Sequence, residues 1–180
     1  MSEPSRRERA IAVAQELAEE GGWDAVAMRT VADKSGSALA TLYREFPSKT
    51  HLVLGMAGAN LAEVRPPRPG DVRRGEPAEL AGKLLTALTR AALTRPLYTA
   101  TVLQGVLTAG PEASEEVNAL TGRLLDMLMG CLDNPTPKDI ARLELLVDVW
   151  FAEMLSTVHE RQTPEQCLAL LQSACTLVLR

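Results

Sequence analysis

One short stretch of the chain concentrates side chains that hydrogen-bond to phosphates and to base edges. Thr41 and Tyr43 carry hydroxyls that can bond phosphate oxygens. Arg44 can bond a phosphate or a guanine edge. We also expect Arg29 to contact the DNA. Lys49 stands in the first turn of a predicted helix, where its charge and nearby amide groups favour a phosphate. These residue types together predict contacts with duplex DNA.

A pair of short helices would position these side chains. Residues 28–52 read MRTVADKSGSALATLYREFPSKTHL. The pattern predicts helices over Arg29–Lys34 and Leu39–Phe46, joined by a tight turn at Ser35–Ser37. This is the helix-turn-helix arrangement, in which the second helix enters the major groove. The apolar residues expected to face inward and hold the pair together are Val31, Ala32, Leu42 and Phe46.

The outer side of the second short helix also carries Leu39 and Ala40. Small Ala40 would let the helix approach the base edges closely. Arg6, Arg7 and Arg9 begin the first helix, where they would touch the flanking backbone or form an ordinary solvated face.

The charge of the chain excludes binding of nucleic acid through bulk charge. Nineteen Lys and Arg against 23 Asp and Glu give a net charge of −4. Residues 1–51 hold seven Lys or Arg and eight Asp or Glu, so DNA affinity must come from their arrangement. Glu16, Glu19 and Glu20 should therefore face away from a duplex. Aromatic residues make up 3%, which argues against a single-strand binder that stacks bases.

The positions of glycine and proline between helical segments predict an all-α chain of about nine helices, without a convincing strand. Gly21 and Gly22 are expected to end the first helix. The helix-breaking segment Arg65–Gly70 is expected to begin a loop that ends at Glu76. The predicted helices are Ser5–Glu20, Arg29–Lys34, Leu39–Phe46, Ser48–Val64, Ala78–Thr94, Pro96–Thr108, Glu112–Leu132, Pro137–Arg161 and Pro164–Leu179.

Several function classes find no support in the sequence. The chain has no apolar run long enough for a membrane helix and begins with a polar segment, so we expect a cytoplasmic protein. No catalytic motif is present, so we expect no enzyme activity, no cofactor and no metal. Cys131, Cys167 and Cys175 have apolar neighbours and are predicted to be buried, reduced thiols.

The segment Thr41–Leu52, TLYREFPSKTHL, closely resembles the recognition-helix signature of TetR-type transcriptional regulators. The resemblance covers residues 6–55, and helix number and length extend it loosely over the chain. It implies that Thr41, Tyr43 and Lys49 contact phosphates and that the outer face of Leu39–Glu45 reads bases. It also implies a DNA-binding domain in residues 1–50 and a ligand-binding and dimerisation domain in residues 51–180.

In that family the C-terminal part binds a small effector and forms a homodimer through its last two helices. Few charged residues fall in the apolar stripes here, which favours a hydrophobic effector. The candidate ligand-binding residues are Met56, Leu85, Leu88, Leu103, Leu107, Leu124, Met127, Leu128, Trp150 and Met154. The candidate dimerisation residues are Leu143, Val147, Phe151, Leu168, Leu171, Cys175 and Val178.

Three shorter segments, MRTVAD, FPSKTHL and VDVW, resemble the steroid-catabolism repressors of actinobacteria within that family. This closer resemblance implies a sterol-derived acyl thioester as effector. The expected function is a ligand-responsive repressor that binds a palindromic operator as a dimer.

This chain departs from the family pattern at Ser37, Ala38 and Ala40, and Met28 replaces the usual Ser or Thr cap. A lost cap weakens a helix by about 1 kcal/mol. The alternative function is therefore a helical small-molecule binding protein, or an enzyme, whose DNA-binding heads have degenerated. A structural helical adaptor is a third hypothesis.

Overall fold

The computed structural model describes residues 3–62, 64 and 76–179. Within these residues the chain forms nine α-helices and no strand, which confirms the all-α prediction. The helices are α1 (Arg6–Ala25), α2 (Met28–Ser35), α3 (Leu39–Glu45), α4 (Lys49–Ala62), α5 (Pro77–Leu93), α6 (Pro96–Thr108), α7 (Ser114–Met129), α8 (Pro137–Val158) and α9 (Pro164–Val178), with a 3-10 turn at Pro111–Ala113. The predicted Arg65–Glu76 loop lies outside the described residues except for Glu76. No helix of the described part is long and apolar enough to cross a bilayer.

Three helices begin with a capping box encoded in the sequence. The Ser5 hydroxyl accepts the Glu8 N–H at 3.2 Å, and the Glu8 carboxylate accepts the Ser5 N–H at 2.6 Å. The same arrangement begins α8 and α9 through the pairs Thr136–Asp139 and Thr163–Gln166. Each box satisfies N–H groups that the first helical turn cannot satisfy internally, so these residues fix where the helices begin.

The first compact unit contains α1 to α4, α6 and the first turns of α7, up to residue 120. In it, α6 packs along α1 and α4, while α2 packs against α1 and α3. Its buried apolar core includes Ala14, Leu17, Val31, Leu42, Phe46, Leu52, Met56 and Tyr98. The helix-turn-helix pair is therefore anchored on a continuous core rather than standing alone.

The glycine pair redirects α1 but does not end it. Helical structure continues to Ala25, five residues beyond the predicted end at Glu20, with non-helical dihedral angles at Gly21 and Gly22. Gly22 has φ 65° and ψ −155°, a combination that is essentially restricted to glycine. The predicted break is thus a kink.

The turn between α2 and α3 is confirmed. Gly36 has φ 67° and ψ 28°, the left-handed conformation that glycine favours after a helix. The Ser37 N–H donates to the Ala32 carbonyl at 3.0 Å and closes the end of α2.

Both helices of the pair begin without a side-chain cap. The N-cap of α2 is Ala27, so the position assigned to Met28 was wrong by one residue, and Met28 is buried as the first helical residue. Ala38 is the N-cap of α3, and its side chain has no hydrogen-bonding group. Neither helix therefore has the side-chain hydrogen bond that stabilises the first turn of a capped helix.

The second compact unit contains α5, residues 121–129 of α7, α8 and α9. In it, α9 packs against both α5 and α8. Cys131, Cys167 and Cys175 are free and buried, as predicted, and burial raises the pKa of the Cys131 and Cys175 thiols to about 11. The compact units do not follow a division after residue 50, because α4 and α6 pack with the helix-turn-helix. How the functions divide along the chain stays a prediction.

Candidate nucleic-acid interface

Helix α3 has an inner and an outer side. Leu42 and Phe46 are fully buried against Val31 and Ala32 of α2 and the rest of the unit's core. Tyr43, one residue from Leu42, is 46% exposed. Leu39, Ala40 and Arg44 are also exposed, Thr41 is half-buried, and Arg29 is exposed on α2. The predicted inner residues are confirmed, and the candidate base-contacting residues lie on the solvent side of α3.

Arg7 holds the start of α1 to the end of α3. Its guanidinium lies 4.5 Å from the centroid of the Phe46 ring, and it donates to the Glu45 carbonyl at 3.5 Å. Arg9 donates to the Pro4 carbonyl at 2.6 Å, whereas Arg6 is exposed. Of the three arginines considered for flanking DNA contacts, Arg7 thus has a role inside the protein.

Lys49 is the first residue of α4, and its side chain is half-buried. Its ammonium nitrogen lies 4.2 Å from the centroid of the Trp23 ring. Burial lowers the pKa of Lys49, and the negative charge of Asp24 opposes that shift. Sequence reasoning assigned Lys49 to the interface but missed Trp23, which follows the glycine kink.

Glu16, Glu19 and Glu20 of α1 are exposed, and Glu19 is paired. Glu19 forms an ion pair with Arg95, the residue before α6. The Arg95 guanidinium also donates to Asn60 at 3.2 Å and lies 4.0 Å from the centroid of the Tyr98 ring. Glu16 and Glu20 are exposed, and their orientation toward a duplex stays a prediction.

His51 ties the start of α4 to the turn before α7. Its ring is buried, with Nδ1 2.8 Å from the Ser48 hydroxyl oxygen. Its Nε2 donates to the Glu112 carbonyl at 3.0 Å, and a Glu116 carboxylate oxygen lies 4.0 Å away. The Ser48 hydroxyl also accepts the His51 N–H at 3.4 Å. No motif in the sequence marks this connection, because Glu112 is 61 residues away.

The candidate ligand-binding residues fall in both compact units. Met56 and Leu103 are buried in the first unit, but Leu107 is 57% exposed and does not line that unit's interior. Trp150 is half-buried in the second unit, where its indole N–H donates to the buried Thr89 hydroxyl at 3.0 Å. The remaining candidates are buried in the second unit: Leu85, Leu88, Leu124, Met127, Leu128 and Met154.

Most of the candidate dimerisation residues are interior residues of the second unit. Phe151, Leu168 and Val178 are half-buried. The residues already buried within the single chain are Leu143, Val147, Leu171 and Cys175. These four have little surface left for a second copy, because they face the unit's own core. The exposed large apolar residues on α8 and α9 are instead Leu145, Leu170 and Leu177.

The fold and the exposed face of α3 together give the chain the architecture of a helix-turn-helix DNA-binding protein. Residues 10–56 match the family model of bacterial regulatory proteins of the tetR family. Residues 75–178 match the tetracyclin repressor-like C-terminal domain. The protein therefore belongs to the TetR family of transcriptional regulators.

Individual relatives extend the similarity over nearly the whole chain. The HTH-type transcriptional repressor KstR of Rhodococcus jostii (strain RHA1) is 29% identical over 99% of this chain and 84% of its own length. KstR of Mycobacterium tuberculosis is 28% identical over 97% of this chain and 80% of its own. The crystal structure of a TetR transcriptional regulator from Rhodococcus sp. RHA1 superposes with a TM-score of 0.84 at 30% identity, covering 97% of this chain and 94% of that one.

Proposed function

We propose that the protein is a cytoplasmic, ligand-responsive repressor that binds a palindromic operator as a homodimer. The observation that carries this proposal is the exposed side of α3, on a helix pair anchored by buried Leu42 and Phe46. Two copies related by a two-fold axis would present two such helices to successive major grooves, about 34 Å apart. The operator would then be a palindrome with that half-site spacing.

In the proposed complex, each candidate side chain has a stated role. The Tyr43 and Thr41 hydroxyls donate to phosphate oxygens and fix the register of α3. Arg44 reaches a guanine edge or a phosphate, and Arg29 reaches the same stretch of duplex from α2. Lys49 meets a phosphate at the start of α4. Leu39 and Ala40 approach the base edges.

To find the operator, random duplex DNA is incubated with the purified protein, and the duplexes that stay bound are sequenced. Tyr43→Phe removes only the hydroxyl of an exposed side chain, and Arg44→Ala removes one exposed charge. Both should weaken binding to the selected duplex. Lys83→Ala is the matched control, because it removes an exposed charge from α5, where Lys83 pairs with Glu79. If the folded, ligand-free protein enriches no DNA sequence motif, the result would favour the alternative of a small-molecule binding protein whose DNA-binding domains have degenerated.

For the dimer we propose the outer faces of α8 and α9. Leu170 and Leu177 are seven residues apart on α9 and therefore share a face, and Leu177 is 75% exposed. Leu145 is exposed on α8. Leu170→Glu and Leu177→Glu should convert a dimer to a monomer in sedimentation experiments. Leu107→Glu changes a leucine on α6 whose exposure lies between those of Leu170 and Leu177, and it should leave the dimer intact.

For the effector we propose a hydrophobic or amphipathic small molecule bound among the C-terminal helices. Leu85, Leu88 and Met154 provide apolar surface, and the Trp150–Thr89 pair adds a polar link between α8 and α5. Release of DNA requires that the effector bind the released state more tightly than the DNA-bound state. The resemblance to steroid-catabolism repressors makes a coenzyme A thioester of a sterol-derived acid the first compound to test, with free coenzyme A as control. Release by both compounds, or by neither, would contradict that choice.

A further inference from the structure

The ammonium of Lys49 lies over the ring of a half-buried tryptophan of the same chain before any DNA is present. The distance of 4.2 Å from Nζ to the ring centroid of Trp23 lies within the range of a cation–π interaction. A free lysine side chain has high rotamer entropy, which it loses when it binds a phosphate. A lysine that already rests on a ring has lost part of that freedom beforehand.

The Trp23 ring is a fixed support. The kink at Gly22 directs the chain into Trp23, whose side chain packs against the core of the first unit. The ring also abuts α6 at Gly105, because a Cβ added there would lie 3.8 Å from the ring carbon Cζ3. The ring therefore has a helix beside it and a cation over its face.

A lysine at the first position of a helix is electrostatically unfavourable, because the helix N-terminus carries partial positive charge. Trp23 offsets that cost through its ring, and Asp24 offsets it through its charge, which raises the pKa of Lys49 against the effect of burial. The Ser48 hydroxyl accepts one first-turn N–H of α4, that of His51, at 3.4 Å, and the other first-turn N–H groups need partners from outside the helix. An anion at this point would meet a cation and N–H groups together.

We propose that Trp23 is a positioning residue for DNA binding, which holds the Lys49 ammonium at the start of α4 in place for a backbone phosphate. This inference rests on the proposed function, since it presumes that Lys49 contacts DNA. Trp23 itself does not touch the duplex. Its ring reduces the freedom that Lys49 loses on binding.

A double-mutant cycle tests the proposal with the duplex recovered by the selection. Trp23→Leu removes the ring face and should weaken binding about five-fold per protomer, because Lys49 would then lose on binding the side-chain freedom that the ring had already restricted. Trp23→Phe keeps a ring and should retain most of the affinity. In a Lys49→Ala background, Trp23→Leu should have almost no further effect. An equal loss in both backgrounds would show a purely structural role and overturn the proposal.

The salt dependence of binding separates positioning from contact. Lys49→Ala should reduce the slope of the logarithm of the DNA-binding constant against the logarithm of salt concentration by about 0.9 per protomer, because one phosphate contact is lost. Trp23→Leu should leave that slope unchanged, because the lysine still reaches the phosphate. If Lys49→Ala leaves the slope unchanged while the duplex is still bound selectively, this inference fails and the proposed function stands. If no duplex is selected at all, the proposed function fails.

Two further measurements distinguish lost positioning of Lys49 from simple unfolding of the Trp23→Leu variant. Val102→Ala trims a half-buried residue packed on the same core and should not change operator affinity. In the unsubstituted protein, NMR should show the Lys49 side-chain methylene protons shifted upfield by the Trp23 ring, both free and bound to the duplex. Methylene protons at ordinary shifts in the free protein would overturn the proposal whatever the variants do.

Discussion

Replacing Gly22 with alanine should destabilise the protein through the backbone alone. Gly22 has φ 65° and ψ −155°, where a residue with a side chain is strained by about 1–3 kcal/mol. A Cβ at this position would meet Leu97 Cδ2 and Thr101 Oγ1 at 3.9 Å, which is ordinary van der Waals contact. No steric overlap adds to the strain, so we expect a loss of about 2 kcal/mol in the free energy of unfolding.

Two other glycines provide matched controls for that substitution. Gly36 has φ 67° and ψ 28° with open space around it, so Gly36→Ala should cost about 1–2 kcal/mol and Gly36→Asn less. Gly58 lies in α4, is exposed, and has nothing within 4 Å of an added Cβ. Because its backbone is helical, Gly58→Ala should stabilise the protein by up to about 1 kcal/mol.

Urea unfolding followed by far-ultraviolet circular dichroism measures these differences. In thermal unfolding, about 1 kcal/mol corresponds to about 2–4 °C for a chain of this length. The expected order of stability is Gly58→Ala, the unsubstituted protein, Gly36→Ala and then Gly22→Ala. A Gly22→Ala variant as stable as the unsubstituted protein would refute the left-handed kink that positions Trp23.

Three further predictions concern buried and capping groups. His51→Leu should lower the free energy of unfolding by about 1 kcal/mol in urea titrations, because the part-buried hydrogen bond from the His51 ring to the Glu112 carbonyl is lost. The thiols of Cys131 and Cys175, with pKa about 11, should react with a thiol reagent at pH 8 only after unfolding; rapid labelling of the folded protein would contradict this. Hydrogen bonds from its capping threonine, with lesser help from Arg142, hold the pKa of Asp139 below 3.8. Its stabilising effect should be complete above that pH and disappear as the pH falls through the lowered value, so the stability difference from Asp139→Asn should shrink in acid.

The two sides of α3 were predictable from the sequence because they depend on local spacing. The four-residue spacing of Leu42 and Phe46 predicts one inner side, with Tyr43 pointing elsewhere, and both are buried although α3 ends at Glu45, one residue before Phe46. The turn was equally predictable, because Gly36 can adopt the conformation that ends α2. These features need only the helical period and the dihedral preferences of single residues.

The support for Lys49 was not predictable in the same way. It depends on the direction in which the chain leaves Gly22, and the sequence indicates a break there without its angle. It also depends on the distance between Trp23 and a residue 26 positions later, which packing of α1 against α4 determines. The contact between His51 and Glu112 has the same character, since neither residue belongs to a pattern of its own.

The predicted dimerisation residues differ in how much surface the single chain leaves them, and the dimer interface itself stays a prediction. The most regular apolar stripes of α8 and α9 include Leu143 and Leu171, and both are buried within the single chain. The apolar stripe of a surface helix usually faces the core of its own unit. A surface for a second copy must therefore be sought among apolar residues that the unit leaves uncovered. Leu170 and Leu177 are exposed on α9 and meet that condition.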